Sequence, residues 1–167
     1  MKNAFVDAFA RWLAATHMSL GIGERAWITP SVQCIHILAI ATTLGCMAML
    51  NLRVLGLVGR EEPLASVSRR YGAPLWPTLL VLLLTGSVLI IGEPRRSLEN
   101  VVFATKMVLV ICAAGITFGV TQPLKRDSAF WDTGARQALA KLLAVISLCL
   151  WAAIVFAGRW IAYAQDS

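Results

Sequence analysis

Long uncharged apolar runs alternate with short polar stretches along this chain. Four of the runs, at about residues 27–50, 75–91, 101–121 and 138–163, can cross a hydrocarbon core of roughly 30 Å at about 1.5 Å per residue. Ahead of them, Phe5, Phe9, Trp12, Leu13 and Thr16 fall at helical spacing, with Asn3, Asp7 and Arg11 largely opposite. Residues 3–18 therefore read as an amphipathic helix lying in the interface plane. Gly21 and Gly23 break it, and Glu24 and Arg25 lead into the first span. Pro30 and Pro77 sit in the first turns of spans one and two, where a missing N–H costs least. The polar stretch from Asn51 to Gly72 has room for a short surface helix around Pro63 to Arg70. Ala41 and Gly45 offer span one a small-residue face for close helix approach.

The pattern predicts an all-α integral membrane protein. It is a four-transmembrane-helix bundle with an N-terminal interfacial helix, forming one membrane domain over residues 1–167. Composition agrees. The chain is 58% hydrophobic and 14% charged, against about 25% charged in soluble domains, and its mean hydropathy is +0.71. Trp27, Trp76 and Trp160 near span ends fit interfacial belts. The net charge of +6 suits loops facing anionic headgroups. Nucleic acid is excluded as a partner, because the basic residues form no stripe. Cys34, Cys46, Cys112 and Cys149 all lie in apolar spans, without CxxC or metal-ligand spacing. They read as buried free thiols, with no covalent heme attachment. The first twenty residues do not make a signal peptide, because Asp7 and Arg11 interrupt any apolar core.

Four spans put both termini on one side. Lys and Arg in the 51–72 and 122–137 loops slightly outnumber those at the termini and in the 92–100 loop. The positive-inside rule then places those two loops in the cytoplasm. The expected location is a bacterial inner membrane with periplasmic termini.

Two ionisable residues interrupt the apolar spans. His36 lies about nine residues beyond Trp27 and Lys106 about seven beyond Glu99, so both fall roughly 10–14 Å below the terminal-side surface. An ionisable group at such depth is expensive and marks a candidate site. A neutral imidazole can ligate a metal, histidine is a standard axial ligand of heme, and bundle cores hold such cofactors. Heme b is therefore the expected cofactor, with His36 as ligand and His17, on the interfacial helix, as a candidate second ligand. Lys106, Arg25, Arg95 and Arg96 are candidate partners of the propionates, and Met18, Met47 and Met107 are weaker ligand candidates. The competing readings are a helix–helix hydrogen bond for His36, an ordinary amphipathic position for His17 and a snorkelling side chain for Lys106. Copper transport fits poorly, because Met47 and Met49 stand about 200° apart on a regular helix.

The run Trp27, Pro30, His36, Leu38, then Gly45, then Asn51-Leu52-Arg53-Val54-Leu55-Gly56 resembles a family of small bacterial four-span membrane proteins of unknown function. Many of its members have Asp at the place of Asn51, and Phe103 to Lys106 also match. More distantly, the arrangement is similar to HemJ-type protoporphyrinogen oxidases and CopD-like copper-resistance proteins. In the HemJ type a His of an early span and a Lys of a later one serve a heme or porphyrin site. The resemblance assigns those roles to His36 and Lys106. It implies electron transfer or a redox reaction in the membrane, with a quinone or a redox partner protein. The alternatives are a non-catalytic anchor subunit and a small-solute or metal permease. Small-residue faces and lipid-facing area favour a homo-oligomer.

Overall fold

The computed structural model describes residues 4–98, 100–131 and 134–163. The side chains of Phe5, Arg96, Lys125, Arg126, Arg159 and Trp160, all used above, lie outside the described residues, as does Glu99. Among the described residues the structure is all-helical: α1 (Ala4–Ala14), α2 (His17–Gly23), α3 (Ile28–Leu55), α4 (Leu64–Gly92), α5 (Pro94–Leu98), α6 (Val101–Arg126) and α7 (Gly134–Tyr163). Four of these, α3, α4, α6 and α7, are long and apolar enough to span a membrane. Helix α3 packs on α4 and α7, α6 packs on α7, and α4 meets α6 less closely than these pairs meet.

The interfacial segment is two helices and not one. Thr16 ends α1 and caps α2, its hydroxyl accepting from Ser19 N–H. A β-region cap residue offers its oxygen in place of the missing helical acceptor, so the chain restarts there. Gly21 lies inside α2, and Gly23 is its last residue, so the helical stretch ends there. Span two also begins earlier than its hydropathy indicates. Pro74 and Pro77 are interior to a helix that already starts at Leu64. Each proline removes one intrahelical donor. The helix continues because Val67 and Gly72 before the prolines and Leu75 between them are buried against the bundle.

Helix α3 ends on a glycine the geometry requires. Gly56 has φ +75°, and Leu57 N–H donates to Leu52 C=O while Gly56 N–H donates to Arg53 C=O, each at 2.9 Å. This is a Schellman ending, which needs a left-handed residue that only glycine adopts cheaply. Arg53 then donates to Glu62 C=O, from Nε at 3.0 Å and also from Nη2. Asn51, 4% exposed, donates to Ser147 Oγ across to α7 at 3.1 Å. The Asn-Leu-Arg-Val-Leu-Gly run is thus accounted for by a cross-helix tie, a loop anchor and a helix stop.

Most buried residues of the described spans lie toward the 56–63 connection or the middle of the bundle, with Ala39 and Ile154 reaching toward the terminal side. One cluster joins Leu50, Val54, Leu64, Val120, Leu124, Trp131, Ala140 and Ala144. A second, nearer the middle, joins Cys46, Met47, Leu75, Ala113, Trp151 and Ile154. All four cysteines are free, but only Cys46 is buried. Cys34, Cys112 and Cys149 face outward, and so do Ala41 and Gly45. Facing lipid costs an apolar or small residue little, so hydropathy could not tell these faces from the core.

Candidate functional site

The buried seams of the helices identify the site. On α7 the seam runs Ala140, Ala144, Ser147, Trp151, Ile154, alternating steps of four and three as packed bundle helices do. The next step falls on Gly158. On α3 the buried positions Ala39, Thr43, Met47 and Leu50, followed back toward the terminal side, reach His36 two turns before Thr43. On α6, Ala113, Thr117 and Val120 lead back two turns to Lys106. On α4 the line through Leu75 reaches Thr85 and Gly86. Each seam therefore carries packing residues in one half of the bundle and a polar residue or glycine in the other.

These residues touch in pairs. His36 Nδ1 and Thr85 Oγ1 are 2.7 Å apart. Thr85 Oγ1 also donates its only hydrogen to Val81 C=O, 2.6 Å away, so toward the imidazole it acts as acceptor. His36 must then be the donor, with its proton on Nδ1. That leaves Nε2 with its lone pair, and no described residue bonds it. Gly86 faces the ring: a methyl group at that position would stand 3.5 Å from His36 Cε1, an ordinary packing contact. Lys106 has the same relation to α7, since a methyl group at Gly158 would stand 3.5 Å from Nζ. Among the described residues no hydrogen bond or ion pair engages that ammonium. Counting from the Met47–Trp151 layer, His36 is roughly 15 Å and Lys106 roughly 10 Å toward the terminal side.

The other sequence candidates lie closer to the surface. His17 opens α2 as an exposed residue, and Arg25 is exposed in the turn before α3. Arg95 lines a surface cleft of about 540 Å³ together with Glu24, Glu93 and Ser19. No contact joins His17, Arg25 or Arg95 to His36, and the Arg96 side chain lies outside the described residues. Met18 and Met107 are exposed. Met47 is buried in packing, its sulfur 3.6 Å from Thr117 Oγ1. No group of three or more His, Cys, Asp or Glu side chains that could hold a metal ion occurs among the described residues, so any metal here would rest on one histidine and its own other ligands.

Thr85, Gly86 and Gly158 were not legible as site residues. Threonine and glycine are nearly neutral in hydropathy and are common in spans. The available signal was register: Thr85 and Gly86 lie about three turns from Leu75 along α4, where a heptad reading of the seam would have placed them.

Residues 12–164 of the chain match the family described as "Family of unknown function (DUF6644)". No curated protein matches, and no solved structure does.

Proposed function

The chain belongs to the DUF6644 family, whose function is unknown, and from that premise we propose that it is a heme b-binding membrane protein with His36 Nε2 as an axial ligand. The observation that carries this reading is the braced imidazole. A ligating histidine ordinarily donates its other ring N–H to a fixed acceptor, which sets tautomer and orientation. Thr85 supplies such an acceptor from the neighbouring helix. The donor set thus fits one axial position of a heme iron. Lys106, on the same side of the bundle, supplies a cation against the porphyrin's negative charge. Arg25 and Arg95, in the interfacial layer, are the cations nearest the headgroups for propionates. His17 is the candidate second ligand on this reading.

When bound, heme would supply a one-electron couple inside the bilayer, which suits exchange with a quinone or a redox partner protein. The resemblance of the sequence to the HemJ type, which would give His36 and Lys106 those roles, points to the same cofactor class. The reading includes a bacterial inner membrane, periplasmic termini and a homo-oligomer.

The test is the absorption spectrum of detergent-purified protein from heme-replete cells, oxidised and then reduced with dithionite. A Soret band that is lost in His36→Ala supports the proposal. Sharp α and β bands on reduction would mark a second ligand, to be assigned with His17→Ala. A colourless protein that co-purifies with another chain, and loses stability in His36→Ala, would replace heme binding with a structural subunit role.

A further inference from the structure

We propose that the cleft between the first turns of α4 and the last turn of α6 binds the phosphate of an anionic phospholipid, with Arg69 as its cation. The cleft holds about 760 Å³, and its lining includes Ser68, Arg69, Ala73, Trp76, Thr121 and Ser128. It lies at the opposite end of the bundle from His36.

Three observations carry the assignment. First, the other described arginines of this end are engaged. Arg53 donates to Glu62 C=O, Arg60 donates to Gly56 C=O, Arg70 pairs with Glu62 at 3.2 Å, and Arg136 lies over the Phe130 ring. Arg69 alone among these has no partner among the described residues. Second, hydroxyls in these helices return to a carbonyl one turn back, as those of Thr78, Thr85, Ser87, Thr117 and Thr121 do. That of Ser68 does not, and Ser128, in the turn after α6, has no hydrogen-bond partner among the described residues, which leaves two donors beside the guanidinium. The nearby Asp127 accepts from Ala129 N–H through Oδ1 at 3.0 Å. Third, the cleft is open where a lipid would enter. Helices α4 and α6 meet less closely than the α3–α4, α3–α7 and α6–α7 pairs. Trp76 stands edge-on to Phe118 with centroids 6.1 Å apart, an apolar wall on the membrane side of the charged groups.

A guanidinium with two hydroxyl donors matches a phosphodiester. The lateral opening and the Trp76–Phe118 wall favour a lipid over soluble phosphate, because an indole at this level marks the headgroup region.

The experiment is native mass spectrometry of the full-length protein in mixed micelles, counting retained phosphatidylglycerol against phosphatidylcholine. Preferential retention of phosphatidylglycerol is expected. Arg69→Gln should lower it roughly tenfold, the effect of losing one charge-assisted contact. Ala73→Trp, which fills the cleft and keeps every charge, should lower it as well, whereas Arg70→Gln should leave it nearly unchanged. Inorganic phosphate added at millimolar concentration should not displace the lipid. Equal losses in Arg69→Gln and Arg70→Gln would mean diffuse surface charge and overturn the proposal. Displacement by inorganic phosphate would identify a soluble-anion site and overturn it too, as would equal retention of phosphatidylcholine.

Discussion

The two halves of the bundle are built on the same seams and to opposite ends. Toward the 56–63 connection the seams hold Leu50, Val54, Val120, Leu124, Ala140 and Ala144, all at most 8% exposed. Polar groups there are consumed in ties, Asn51 to Ser147 and Trp131 Nε1 to Val120 C=O at 2.9 Å. Toward the termini the same seams hold His36, Thr85, Gly86, Lys106 and Gly158, none of them fully buried. Lipid tails are as apolar as leucine, so a membrane bundle holds together by close packing and hydrogen bonds more than by exclusion from water. Concentrating those in one half leaves the other free to carry groups that pack poorly. Close packing and the candidate site are thus separated along the bundle axis.

Substitutions in the two halves should therefore fail differently. The largest effect expected is from His36→Ala, which should abolish the Soret band while leaving the detergent melting curve nearly where it was. A parallel collapse of stability would show that the terminal half also holds the fold together. Leu50→Ala, by contrast, should cost about 2–5 kcal/mol as a buried large-to-small change, read by thermal or denaturant unfolding, and leave the absorption maxima of the surviving protein in place. Thr85→Val, which removes the acceptor of the Nδ1 proton at nearly constant volume, should weaken heme retention by roughly 10–100-fold in a competition with apomyoglobin. Unchanged retention would show that the ring is oriented by something else.

The smallest pair sharpens the comparison inside the packed half. Trp131→Phe removes the indole hydrogen bond to Val120 C=O, at a cost of about 1 kcal/mol. Trp151 Nε1 is buried without a partner among the described residues. Trp151→Phe should then be neutral or stabilising by about the same amount in unfolding measurements, since it deletes an unpaired donor. A loss of stability in Trp151→Phe would show that the indole N–H has a partner, such as a bound water.

The number of spans and the depth of His36 and Lys106 were legible because both depend on counting along a helix. What was not legible depended on neighbours. The prolines of α4 read as a helix start because Ser66, Ser68, Arg69 and Arg70 before them are polar. Burial of Val67 and Gly72 by other helices carries the helix through. Ala41 and Gly45 read as a packing face and turned outward, and three of four cysteines did the same. Thr85 carries no charge and little hydropathy. Its importance comes from where its single hydrogen goes, which is a fact of three dimensions.

The anchored 53–70 segment also bears on how this protein can be mapped. Trypsin must draw an arginine side chain into its specificity pocket on an extended backbone. Arg53, Arg60 and Arg70 are bonded to Glu62 C=O, Gly56 C=O and the Glu62 carboxylate, and Arg53, Arg69 and Arg70 also lie within helices. Digestion from that side should be slow even where the segment is fully bathed in water. Resistance there would imitate protection by the membrane and invert the deduced topology. A thiol label at Glu61, which is exposed in the turn and without a hydrogen-bond or ion-pair partner among the described residues, reports the sidedness without asking the loop to unfold.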